Sequence, residues 1–177
     1  NTEFAEINYK EAYRLYAKEN YDMKAADVLS EMAGLYSVSD PIKSLKIGLE
    51  ARKIFDEIGP ELMPSINNLG NIGEGFYSLA QNDSLLKEIN IPEIPKTKQQ
   101  LLNQAEIYLQ KSILFSKKQD VQQAILYYSG VLSEVQAYKG DYKSAFANLQ
   151  FKFKYRDSRF SQENKNAIAK WESEKEI

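Results

Sequence analysis

The chain has 177 residues, with 23 Lys and Arg against 25 Asp and Glu and a net charge of -2, the two signs mixed along its length. That balance excludes the one-signed basic face with which nucleic-acid binders displace counterions from phosphates. Cysteine and histidine are both absent, which removes disulfides, Cys and His zinc sites, Cys-His nucleophile pairs and Ser-His-Asp triads.

The first predicted element, a half-hairpin over residues 4–20, carries Ala12, Leu15, Tyr16 and Glu19 at helical spacing. A helix from Lys24 then presents Val28, Leu29, Met32, Leu35 and Tyr36 at intervals of three and four, one apolar face. It stops at Ser39, Asp40 and Pro41, where Asp caps and Pro fits a first helical turn. The next helix, with Ser44, Leu45, Ile47, Ala51, Ile54 and Phe55, ends at Gly59 and Pro60 and completes a hairpin over 24–59.

A second hairpin, 61–118, pairs a helix containing SINNLGNIGEGF with one carrying Ala105, Tyr108, Leu109, Ser112, Ile113 and Phe115. Between them Pro92 and Pro95 interrupt any helix over an insertion, 82–97. Loops of this length are uncommon without a role. Leu85, Leu86, Ile89, Ile91 and Ile94 are too apolar for water, so the insertion either packs locally or forms a lid over a ligand or partner. The third hairpin, 121–155, turns at Gly140 and Asp141, Gly for positive φ and Asp as cap, with Ala145 at the contact followed by Phe146, Leu149 and Phe153. A last helix over 157–177 carries Phe160, Ala167, Ile168 and Trp171 on one face. No run of about 18 apolar residues is present to span a membrane.

The small residues opening each second helix, Ser44, Ala105 and Ala145, lie sixty-one and forty positions apart. Removing the insertion leaves a period of about 41 residues, in the range of helical-hairpin repeats. A second small residue follows two turns later at Ala51 and Ser112; Lys152 departs from this in the third hairpin. The glycines Gly70, Gly73 and Gly75 run G-x-x-G-x-G, not the dinucleotide order, and no strand precedes them. Close helix packing explains them, with a bend or an early unwinding at Gly73 and Gly75 as a further expectation.

With Leu69-Gly70, the Gly140-Asp141-Tyr142 turn before Ala145, and the Ser44/Ala51 and Ala105/Ser112 pairs, residues 24–155 resemble tetratricopeptide repeats. Gln136 and Gly73 stand where that family usually has an aromatic. The resemblance implies an all-α fold: a right-handed superhelix of antiparallel helical hairpins whose first helices line a concave groove. With Ala33, Gly70 and Ser133 at the family's small position, the groove side receives Asp27, Ser30, Asn67, Asn71, Glu74, Tyr127, Glu134 and Tyr138. These residues suit a protein or peptide partner held by amide and ring contacts, or else form an ordinary solvated face. None is basic, unlike the groove of the carboxylate-clamp subfamily. No cofactor, metal or catalytic residue is expected, since the Glu residues sit among Lys at helix-surface spacing.

The tail YRDSRFSQENKNAIAKWESEKEI looks like the segment after the last repeat in extracytoplasmic sensor regions of Bacteroidetes histidine kinases and LuxR-type regulators. The resemblance implies the sensory part of a membrane signalling protein, outside the cytoplasm; a cytoplasmic scaffold or peptide receptor is the alternative. Asn1 is not an initiator Met, and no Gly, Asn or Pro stops the helix at Glu176 and Ile177, so the chain reads as part of a longer protein. Trp171 either caps the last hairpin with its ring or belongs to a signal-transmitting linker. The tail helix is also a candidate homodimer contact.

Overall fold

The predicted helical periodicity is realised in a computed structural model that describes residues 2–37 and 39–175. Eight helices and no strand occur among the described residues, so the fold is all-α. They are α1 (Thr2–Lys18), α2 (Asp22–Tyr36), α3 (Pro41–Ile58), α4 (Met63–Ala80), the single turn α5 (Asp83–Leu86), α6 (Lys98–Lys118), α7 (Gln122–Tyr138) and α8 (Tyr142–Lys175). Apart from α5, each helix packs on the next, and α2, α4 and α7 also touch one another in succession.

Turn chemistry sets the helix ends. Gly140 has φ +84°, and the Asp141 carboxylate accepts from Ser144 N–H at 3.1 Å, as the sequence predicts. The same turn occurs twice more with a non-Gly residue at positive φ, Asn20 (57°) after α1 and Asp120 (52°) after α6. In all three the following N–H reaches back five residues: Tyr21 to Tyr16 O, Val121 to Ser116 O and Asp141 to Gln136 O. This Schellman closure satisfies carbonyls left over at the helix end, and short polar Asn and Asp tolerate the left-handed region. Asp40 caps α3 through Lys43 N–H at 3.0 Å, with Pro41 in the first turn.

The small residues lie at the helix contacts. Ala51, Ala105 and Ser112 are fully buried, and Ala145 nearly so. The Ser44 hydroxyl donates to Ala33 O at 2.8 Å, Ser112 to Ile66 O at 2.9 Å and Ser133 to Ala145 O at 2.8 Å. At the departing position the Lys152 ammonium lies across Gly130, where an added Cβ would sit 2.6 Å from it. The small residue has moved from α8 to the facing helix. Gln136 is buried for a polar reason. Its amide donates to Glu106 at 2.9 Å and accepts from Asn148 at 2.7 Å, beside a half-buried Glu106–Lys139 pair at 2.5 Å. Burial raises the Glu106 pKa, but the bonds from Lys139 and Gln136 outweigh it and hold it below the ordinary carboxylate value.

Two apolar clusters form the core. One joins α1, α2 and α3 through Ala26, Leu29, Met32, Ala51 and Phe55, with Tyr9 and Tyr13 against it. The larger joins α4, α6 and α7 through Ile66, Phe76, Leu79, Leu101, Leu109 and Val135. The insertion contributes to this second cluster, with Ile89 and Ile94 buried and Leu85, Leu86 and Ile91 half-buried against it. Of the two readings open in the sequence, local packing is the one these contacts support. Arg52, also buried, ties α3 to the start of α4 by donating to Ser65 Oγ at 2.8 Å.

Two expectations are corrected. The glycines do not unwind α4, which stays helical from Met63 to Ala80. Gly70 makes room for the Tyr128 ring and Gly73 for Leu109 and the α6 backbone, so packing holds the segment. The break between residues 155 and 157 is also absent: α8 is one helix of 34 residues. Asp157 is engaged by Arg156 at 3.0 Å instead of capping, and the Ser158 hydroxyl donates back to Tyr155 O at 3.0 Å, which a continuing helix accommodates. No Gly or Pro intervenes, and Asp120 holds both Tyr155 and Arg159 from the α6–α7 turn. At about 51 Å, α8 runs well past the 17-residue α7. Trp171 lies on that overhanging part and is 57% exposed. The expected open helix end at Glu176 and Ile177 lies outside the described residues.

Candidate functional site

A cleft of about 440 Å³ opens between α2 and α4, with α3 as its floor and Tyr127 of α7 on its rim. A smaller one of about 330 Å³ adjoins it and shares Ser30, Gly34 and Asn71. Small residues hollow this space. An added Cβ at Gly34 would touch nothing within 4 Å, and Gly48 and Gly75 bring α3 and α4 to the edge with no side chain projecting. Asp27, Ser30, Asn67, Asn71, Glu74 and Tyr127 all line one cleft or the other, so six of the eight groove residues converge. Glu134 and Tyr138 do not line it; they serve the neighbouring α4–α7 seam. There the Tyr138 ring meets Tyr77 edge-on at 6.0 Å, under the Lys98 ammonium at 4.6 Å. Burial raises the Tyr77 pKa, and the Glu134 charge adds to it.

Hydrogen bonds fix the polar groups. The Tyr127 hydroxyl donates to Glu74 Oε1 at 2.7 Å, and the Tyr128 hydroxyl to Asn71 Oδ1 at 3.0 Å. With its carbonyl so occupied, the Asn71 amide turns its N–H donors away from Tyr128. On the floor, Asn68 donates to Gly48 O at 3.1 Å and to Ser30 Oγ at 3.4 Å. Asn68 Oδ1 is buried with no donor among the described residues. Because Gly48 O can only accept, the amide cannot be turned over to relieve it.

The bond to Glu74, then burial, push the Tyr127 hydroxyl up to about 12. A phenol raised in the folded state contributes stability that is fully present below its ordinary pKa near 10 and is lost as pH rises through about 12. In the 295 nm absorbance titration the component lost in Tyr127→Phe should therefore be a late one, and it should return toward the ordinary phenol range in Glu74→Gln, while the Tyr128 hydroxyl, raised further by burial, titrates later still. An unchanged profile in Glu74→Gln would contradict the bond.

Sequence reasoning missed the floor and the brace. Asn68 is adjacent to the chosen Asn67, yet helical phase turns it inward. Gly48, mid-helix at a cost of about 1 kcal/mol relative to Ala, was a signal for close helix approach there, since an added Cβ would lie 3.3 Å from Ile72. Tyr128 braces Asn71 and also reaches Asn67 O at 3.3 Å; its place on Gly70 depends on contact between separate hairpins. Among the described residues no three carboxylates converge to hold a metal ion, and no helix is long and apolar enough to cross a membrane. No family model matches the chain, and no curated protein matches it.

Proposed function

We propose that this chain is a tetratricopeptide-like array, wound as a right-handed superhelix, that binds an extended segment of a protein or peptide in the α2–α4 cleft. The observation that carries this reading is the convergence of Asp27, Ser30, Asn67, Asn71, Glu74 and Tyr127 on one continuous groove. Amides and hydroxyls pinned by neighbouring side chains can meet the backbone of an extended chain without first being ordered. Joint replacement of Asn71 and Glu74 by alanine should weaken capture of partners by about ten-fold, one to two hydrogen bonds, with the helical fold retained and the melting temperature lowered modestly by loss of the Tyr127 and Tyr128 hydroxyl bonds. Equal recovery of partners by the double variant would reject the groove.

The resemblance of the tail supports a place in the sensory region of a membrane-bound signalling protein, outside the cytoplasm, with a cytoplasmic scaffold as the alternative. A leader encoded before Asn1 and an apolar span of about 20 residues encoded after Ile177 would separate the two.

One further observation supports self-association through α8. Phe146, Phe153 and Phe160 recur every seven residues on its outer face, flanked by Tyr142, Leu149, Ile168 and Trp171, all exposed. Together they present on the order of 700 Å² of largely apolar surface, above the few hundred Å² usual on a monomer and near the ~800 Å² per partner of an ordinary interface. Sedimentation should find a dimer that Phe153→Glu with Phe160→Glu converts to monomer; a wild-type monomer at 100 μM or so would reject it.

A further inference from the structure

We infer that the α2–α4 cleft is selective for a basic side chain, lysine or arginine, carried by the bound segment; this rests on the peptide-binding reading above. Every charged residue lining the two clefts is a carboxylate: Asp27, Glu31 and Glu74. Glu74 is the one best placed to anchor a cation. It is half-buried, its Oε1 accepts from Tyr127, and its other oxygen has no donor among the described residues. A partly buried carboxylate with a free oxygen gains most from a charged N–H donor, whose hydrogen bonds are shorter and stronger than neutral ones.

Two independent features match the same chemistry. The Tyr127 ring, 53% exposed on the rim, stands edge-on to Tyr128 with centroids 5.2 Å apart. That leaves ring surface against which an ammonium or guanidinium can lie. Asn68, which lines the same cleft, carries an Oδ1 acceptor with no donor among the described residues, although Asn68 is only 1% exposed. A buried carbonyl left unsatisfied is costly, and an N–H-rich group entering the cleft can supply what it lacks. A carboxylate, an aromatic ring and an amide carbonyl all attract donors and cations, whereas an acidic side chain would meet Glu74 in the larger cleft or Asp27 and Glu31 in the smaller one, and no basic residue in either.

The test is to pan a random dodecapeptide phage library on the immobilised full chain and to measure a synthetic copy of the recovered peptide by fluorescence anisotropy. Recovered sequences should be enriched in Lys or Arg at one position. Replacing that residue by Gln, or Glu74 by Gln, should weaken binding about ten-fold or more, with a matching loss of salt dependence. Glu74→Gln keeps an acceptor for Tyr127, so its melting curve should overlay the wild type. Peptides whose binding is abolished by Asn71→Arg but which show no basic enrichment, or bind Glu74→Gln equally, overturn the cation assignment and leave the groove standing. Recovery of no peptide, or of peptides indifferent to Asn71→Arg, overturns the groove and this inference with it.

Discussion

Ile94→Asp is expected to destabilise the protein by about 4 kcal/mol, the sum of lost apolar burial and a polar group left without a partner. Ile94 is only 1% exposed and belongs to the cluster that joins α4, α6 and α7. The melting temperature should fall by roughly 8–16 °C for a chain of this size. Ile91→Asp, at a half-buried position in the same insertion, should cost far less. The contrast matters because the sequence left the insertion as either locally packed or a lid. Equal, small effects at both positions would mean that residues 82–97 rest on the surface and can move off it.

Gly73→Val should cost about 3 kcal/mol by forcing α4 away from α6. An added Cβ would lie 2.7 Å from Leu109 Cγ and 3.1 Å from both Ala105 O and Leu109 N. A side chain can turn aside, but two of these three atoms are backbone, so the seam itself must widen. The contrasting substitution is Gly34→Ala, where the new methyl meets nothing within 4 Å. There helix propensity favours alanine by about 1 kcal/mol, and the melting temperature should rise by a few degrees. Thermal melts of the two variants side by side check both; Gly73→Val melting with the wild type would mean that α4 and α6 are not in close contact at this point.

Helix existence was legible because apolar residues recur at three and four, and Asp40, Pro41 and Gly140 are strong local signals. Ala51, Ala105 and Ser112 were legible as contacts because a small residue two turns from another marks close helix approach. What escaped the sequence depended on partners far along the chain. The turns at Asn20 and Asp120 use residues that tolerate positive φ only moderately, so neither stood out as Gly140 did. The continuity of α8 is fixed by Asp120, some thirty-five residues upstream, which holds Tyr155. Lys152 departs from the small-residue pattern, and its compensation, Gly130 beneath it, lies on another helix.

The candidate site divides in the same way. The five residues on α2 and α4 were placed in the groove by repeat phase, and they do line the clefts, together with Tyr127 of α7. Glu134 and Tyr138 follow the same phase on α7, but the Tyr77 and Lys98 side chains draw them into a separate cluster. Asn68 could not be read as floor, because its role depends on α3 presenting Gly48 O at hydrogen-bond distance.

The most direct measurement is a map of backbone amide shifts in the full chain as a peptide recovered from the library is titrated in. Perturbations concentrated in 27–34 of α2 and 67–75 of α4, with a lesser set at Tyr127, are the predicted result. Shifts confined to the exposed face of α8, or none at saturating peptide, would contradict the assignment of the α2–α4 cleft as the binding site.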